Sequence, residues 1–161
     1  MNSKQASIEQ ETLLSKELGW KRVSGSGARP NFPGDIVSER WLGECKTHVS
    51  PGHKIVFSRS VWSKLTKEAA SVFKYPALFV DDGSRSLDKT WVLVPDFVHD
   101  DEFIVLEYLY DIKTNIVFDS NSLFNQVIYR GSNGSLCYRT SFDGHRVKII
   151  NFNNFKKLFG D

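Results

Sequence analysis

The sequence predicts a mixed α/β fold: a central sheet with strands running in both directions, helices on its faces, and a C-terminal β-hairpin followed by a short helix. Three observations carry that expectation. Ser3–Leu18 places Ile8, Leu14 and Leu18 at helical spacing. Ala77–Val80 and Trp91–Val94 are short and wholly apolar, as strands are when both faces of their sheet are covered. Asp143-Gly144 separates Leu136–Phe142 from Arg146–Phe152, and Asp-Gly readily takes the positive φ angles of a two-residue hairpin turn. At 161 residues the chain has the length of a single domain with one sizeable core. That core is expected over residues 3–98, with 99–161 as an extension.

Taken in order, the first helix presents Ile8, Glu11, Leu14 and Leu18 on one face. Glu11 is the odd member, because an inward carboxylate needs a partner. Glu9 falls more to the side, near Leu13 and Lys16, and Glu11 is the preferred member of the two. Gly19 caps the helix, and Trp20–Val23 begins the first strand. Ser24–Pro33 reads as a loop of small residues. Residues 34–38 read as a strand, Ser38–Arg40 turns the chain, and Trp41–Lys46 is the antiparallel partner. Thr47–Phe57 is expected to be a loop carrying His48 and His53. Ser60 caps a helix over Val61–Phe73, with Trp62, Leu65, Ala69 and Val72 inward and Lys64 and Lys67 outward.

The two apolar strands follow, joined by a polar turn over Asp81–Lys89. Phe103–Tyr110 suits helix or strand, and Asn121–Gln126 a loop or short helix. After the hairpin, Asn153 is positioned to cap a last helix, Phe155–Phe159. This basic C-terminal part is expected either to contact DNA or to form a subunit interface through exposed Phe and Tyr.

The chemistry concentrates between Val23 and Lys46, VSGSGARPNFPGDIVSERWLGECK. Side chains alternate along a strand, so Leu42, Glu44 and Lys46 share one face while Trp41, Gly43 and Cys45 share the other. A hairpin register brings Asp35 alongside Glu44. Two carboxylates at one spot are costly unless a cation or a proton lies between them. Mg²⁺ suits such oxygen ligands and keeps waters, one of which can act as a nucleophile. Lys46 then stands where a positive charge stabilises a developing anion. In Ser24–Ala28 the glycines let backbone N–H groups converge on a phosphate, and Arg29 adds charge.

Singly, these signals are weak. An E-x-K triplet occurs by chance in about half of chains this long, and a Gly-Asp pair is usually a turn. Their order on one helix–hairpin unit is what carries weight. That order, Asp followed by Glu-x-Lys on a hairpin after a helix bearing a Glu, resembles the PD-(D/E)XK nuclease superfamily. The Gly-Ser-Gly-Ala loop ahead of Gly-Asp and Glu-Cys-Lys resembles phage-type and archaeal-type Holliday junction resolvases more narrowly. The similarity covers residues 8–98, with one departure: Gly34 stands where the family usually has Pro before the Asp.

The resemblance implies a restriction-endonuclease-like fold and a Mg²⁺-dependent endonuclease (Mn²⁺ as an alternative) acting on four-way branched DNA as a homodimer. It implies catalytic roles for Glu11, Asp35, Glu44 and Lys46. Asp35, Glu44, Glu11 and the Cys45 backbone carbonyl would hold the metal. Ser24, Gly25, Ser26, Gly27, Arg29, His48, Lys64 and Lys67 would contact DNA. His48 and His53 read as DNA-facing or exposed residues and not as ligands. Restriction, repair or exonuclease members of the superfamily, and a DNA-binding protein that has lost the chemistry, are the competing expectations.

A second literal match, Pro95-Asp96 followed by Asp111-Ile112-Lys113, lacks a small-residue loop upstream and is crowded by Asp100, Asp101 and Glu102. Two Cys give neither a disulfide framework nor a zinc cluster, and Cys45 is expected in the core. No apolar run reaches the ~20 residues needed to cross a bilayer and no signal-peptide pattern opens the chain. A cytoplasmic protein is therefore expected, in a bacterial host cell if its origin is a phage, with no membrane partner and no small-molecule cofactor. Net charge is only +2, but its distribution is uneven. Residues 1–70 hold 11 Lys and Arg against 7 Asp and Glu, 71–130 hold 5 against 10, and 131–161 hold 5 against 2. The positive field lies on the half that carries the site, as phosphate steering requires.

Overall fold

The structure, a computed structural model, describes residues 1–23, 33–97, 104–120 and 136–160, with 104–110 and 136 as backbone alone. The elements run α1 (Ser3–Leu18), β1 (Lys21–Arg22), β2 (Ile36–Val37), β3 (Trp41–Lys46), β4 (Ile55–Phe57), α2 (Arg59–Ser71), β5 (Tyr75–Asp81), a 3₁₀ turn (Leu87–Lys89), β6 (Thr90–Pro95), β7 (Ile104–Ile112), β8 (Ile116–Phe118), β9 (Leu136–Phe142), β10 (His145–Asn151) and α3 (Phe152–Phe159). Eight strands make one sheet in the order β1-β2-β3-β5-β6-β10-β9-β7, and β4 pairs with β8 as a separate ribbon. β3 lies parallel to β5, and β7 parallel to β9; the other neighbours are antiparallel. The chain is thus α/β, with a mixed central sheet and flanking helices.

Both sheet faces are covered. Leu42, Leu78, Val80 and Leu93 pack beneath Trp62, Leu65 and Ala69 of α2 and beneath Ile55, Phe57 and Ile116 of the ribbon. On the opposite face Cys45, Ala77, Phe79 and Val92 pack against Leu14 and Leu18 of α1 and Phe152 and Phe155 of α3. β5 is buried from Pro76 through Asp81, because its alternate side chains enter the two cores in turn. The second core is largely aromatic. Phe155 meets Trp20, Trp41 and Phe79 at ring-centroid distances of 5.8, 5.2 and 5.4 Å, all in edge-to-face geometry. Phe155→Ala is expected to cost about 3–5 kcal/mol, read as a lower urea midpoint with an unchanged slope.

Several sequence expectations are corrected. The inward face of α1 is Ala6, Gln10, Leu14 and Leu18, while Ile8 is exposed; the stripe is turned by about a fifth of a helical turn relative to the one through Ile8. α2 begins at Arg59, because Ser58 and not Ser60 caps it by accepting the Val61 N–H. Thr47–Phe57 is not all loop, since Ile55–Phe57 forms β4; its partner, Ile116–Phe118, is remote in sequence. The last helix starts at Phe152, capped by Asn151, and its Phe152 and Phe155 are core residues with no exposed surface. Residues 104–112 are a strand. β10 lies directly beside β6, so the C-terminal extension completes the main sheet. The segment 121–126 lies outside the described residues.

Candidate active site on the β2–β3 hairpin

The hairpin register pairs Ile36 with Gly43 and Val37 with Leu42. One residue earlier, the Asp35 N–H donates to the Gly43 carbonyl at 2.8 Å, and the Asp35 carbonyl accepts from Val23 N–H at 2.8 Å. The backbone of Asp35 is therefore held between β1 and β3. Its side chain reaches across the hairpin, where Oδ2 accepts the Cys45 N–H at 2.8 Å. The chain enters this position through Gly34 at φ +79°, where an added Cβ would lie 2.7 Å from Leu42 Cδ1. Proline, locked near φ −65°, cannot adopt that conformation, which accounts for Gly34 where the resembling family has Pro. Gly34→Ala is expected to lower stability by about 1–3 kcal/mol through left-handed strain and that contact, measured by chemical denaturation.

Glu44 and Lys46 do share a face, joined by an ion pair of 2.9 Å between Oε1 and Nζ. Cys45 points the other way, into the core, where burial and then the Asp35 charge push its thiol well up. Asp35 itself is pushed up to about 7. Burial is the main cause and the negative charge of Glu44 the next; the Cys45 N–H opposes them, while Glu11 adds to them. Burial works to lower Lys46, but its hydrogen bond with Glu44 and the charges of Glu44 and Asp35 outweigh it, so its pKa is raised. Lys46 is accordingly a fixed cation across the neutral range.

Glu11 accepts from Arg22 Nε at 2.8 Å and is the helix carboxylate whose charge reaches Asp35. Glu9 instead pairs with Arg85 at 3.1 Å. Between them, Gln10 was missed by sequence reasoning. It is 1% exposed, and its Nε2 donates to the Lys46 carbonyl at 2.8 Å and to Asp81 Oδ2 at 3.3 Å. It therefore fixes the end of β3, where Lys46 sits. Burial raises the Asp81 carboxyl against the hydrogen bonds from Thr47 and Gly83. The i, i+4 series Ala6-Gln10-Leu14-Leu18 was the available signal for Gln10.

Of the expected DNA-contacting residues, Ser24, Gly25, Ser26, Gly27 and Arg29 lie outside the described residues. His48 is exposed just beyond Lys46. Lys64 and Lys67 are exposed on the outer side of α2, with Lys64 3.6 Å from Glu68. The second literal motif separates into structural parts. Asp111 accepts from Ser141 Oγ and the Gly144 N–H at the turn of the β9–β10 hairpin, which lowers its pKa. Asp96 pairs with Arg139 at 2.6 Å.

Among the described residues no three His, Cys, Asp or Glu side chains stand together as a ready metal cage. Glu44 and Glu11 are each turned toward a cation of this chain. The donor set nevertheless suits a hard divalent ion: the negative charges of Glu44 and Glu11 both bear on the Asp35 carboxyl, with the Cys45 carbonyl beside them on the strand. Among the described residues no helix is long and apolar enough to cross a membrane. Compared with known proteins, the chain has no matching family model, curated protein or solved structure.

Proposed function

We propose that this chain is a PD-(D/E)XK-type, Mg²⁺-dependent endonuclease that hydrolyses phosphodiester bonds in branched DNA, with a four-way junction as its substrate. The observation that carries the reading is the convergence of Asp35, Glu44 and Lys46 on one hairpin, with Glu11 close enough for its charge to raise Asp35. The element order supports it too: a helix with an inward-leaning Glu, a hairpin, then a helical crossover to a strand parallel to β3.

Asp35, Glu44 and the Cys45 carbonyl would hold the metal, with Glu11 completing the shell directly or through water. Mg²⁺ supplies Lewis acidity, polarising a phosphate oxygen and acidifying water. The remaining work falls to the chain. Lys46 stays charged, so its role is to stabilise negative charge on the attacked phosphate and to orient the water, not to remove its proton. Gln10 holds the Lys46 backbone, and the Cys45 N–H holds Asp35 in one rotamer. The loop with Ser26 is assigned to the DNA backbone by the resemblance, as is a two-fold dimer, since two symmetric cuts call for two related sites.

Cleavage of a labelled four-way junction beside a matched linear duplex, in Mg²⁺ or in EDTA, tests the proposal. Paired nicks confined to the junction and dependent on Mg²⁺ are expected. Equal cutting of both substrates would keep the nuclease and remove the junction preference. DNA binding with no cutting would leave a binding module that has lost the chemistry.

A further inference from the structure

Beside Lys46, on the face of the sheet that α2 covers, lies a cavity of about 230 Å³. Its floor is apolar, made by Val56 of β4, Val61 of α2, and Leu78 and Val80 of β5. Its rim carries His48 and Lys46, the latter paired with Glu44 at 2.9 Å, and among the described residues no carboxylate lines the cavity itself. The volume is below the ~300–1,000 Å³ of clefts for drug-sized ligands, which suits one ring system and little more.

The rim is held in place from several sides. Thr47 Oγ1 donates to Asp81 Oδ1 at 2.5 Å. The His53 N–H donates to the Asp82 carbonyl at 2.9 Å, and Arg85 Nη1 to the His48 carbonyl at 2.9 Å. Gly83 approaches so closely that an added Cβ would stand 1.9 Å from the Ser50 carbonyl oxygen. On this pinned loop the exposed His48 ring lies flat on that of His53, with centroids 3.8 Å apart and planes 14° from parallel. An apolar floor, the Lys46 ammonium at the rim and a fixed aromatic edge together ask for a ligand with a flat apolar body and an attached anion. A nucleotide has that chemistry.

We propose that the cavity receives one unstacked nucleobase adjacent to the phosphate being cut. This rests on the nuclease reading above and deepens it. Taking a base out of a continuous duplex costs a few kcal/mol, and the cost is least where the base is unpaired or already splayed. A site that must seat such a base beside Lys46 favours branched DNA through the energy of unstacking, with no contact that reads sequence. The preference for a junction is then a property of this cavity as well as of the loop ahead of Asp35.

The test places 2-aminopurine, whose fluorescence rises on unstacking, at each nucleotide around the cut of a four-way junction in turn. The junction is bound to the full chain carrying Glu44→Gln, so that it is held and not cut. A rise at one nucleotide flanking the cut and at no other is expected. Adding Val61→Phe, which fills the cavity, removes the rise, and adding His48→Ala reduces it in a variant altered only at the surface. In the otherwise wild-type chain Val61→Phe slows junction cutting by about tenfold or more while junction binding persists. A junction that is bound and cut with no position brightening, or brightening unchanged by both variants, would overturn the cavity and leave the nuclease intact. Should the chain prove to cut no DNA, thymidine 5′-monophosphate titrated against the methyl NMR signals of Val56, Val61 and Val80 decides the cavity separately. Saturable shifts keep it, and none at millimolar nucleotide would overturn it.

Discussion

Glu44→Gln is expected to lower Mg²⁺-dependent cleavage by at least ~100-fold while leaving the unfolding midpoint close to that of the wild type. The amide keeps the shape and a hydrogen-bond acceptor but removes the charge that a hard cation needs. Its effect on folding is small because the Glu44–Lys46 pair is partly open to solvent, the Lys46 side chain 50% and the Glu44 side chain 21% exposed, and such surface pairs contribute only ~0–1 kcal/mol. Lys46→Ala separates the two halves of the pair. Removing a cation aimed at developing charge costs roughly 10²–10³ in rate, yet it frees Glu44, so metal affinity is expected to hold or rise. Single-turnover rates and Mg²⁺ titrations of the two variants make the distinction. A Glu44→Gln enzyme that cuts as fast as wild type would remove Glu44 from the chemistry.

The second large effect is on stability, and it runs opposite to activity. Asp35 has a folded pKa of about 7 against an ordinary 3.8. From roughly pH 4 to pH 7 the folded chain holds a proton that the unfolded chain has released, so stability falls as pH rises through that window. At pH 8 the carboxylate is ionised in both states and the full cost of burying it beside Glu44 is present. Asparagine does not ionise and can still accept the Cys45 N–H. Asp35→Asn in EDTA is therefore expected to stabilise the fold at pH 8 by on the order of 3 kcal/mol, with little change at pH 4, while abolishing cleavage. Mg²⁺ bound at the proposed site would relieve the same repulsion in the wild type, so it is expected to raise Tm at pH 8 and barely at pH 4. Equal Tm for wild type and variant at both pH values would mean that Asp35 feels no such crowding.

What was legible in the sequence follows from how local each interaction is. The β2–β3 hairpin was readable because its turn, its β-branched residues and its alternation lie within a dozen positions. The same locality placed Asp35, Glu44 and Lys46 together and sent Cys45 to the core. Glu11 could be preferred over Glu9 from helical spacing, although the stripe was drawn through Ile8, which is exposed. Gln10 was passed over because a lone amide on a helix reads as surface; its partners, the Lys46 carbonyl and Asp81, lie 36 and 71 positions away. The β4–β8 ribbon escaped for a related reason. Three-residue strands carry too little periodicity, and the two segments meet only through the tertiary fold. The cap was placed at Ser60, whereas Ser58, two residues earlier, accepts the Val61 N–H, and the C-terminal Phe residues looked free because only β10 and α3 together close the second core. Gly34, read as a departure from the family pattern, is explained only by its positive φ.

Mn²⁺ broadening of backbone amide NMR signals tests most directly whether the β2–β3 hairpin holds a metal. Substoichiometric Mn²⁺ added to the wild-type chain at pH 8 should broaden the amides of Asp35, Glu44 and Cys45 before all others, and Asp35→Asn should abolish the effect. Broadening that begins at Asp96 or Asp111, or a hairpin that stays sharp throughout the titration, would contradict a metal held there.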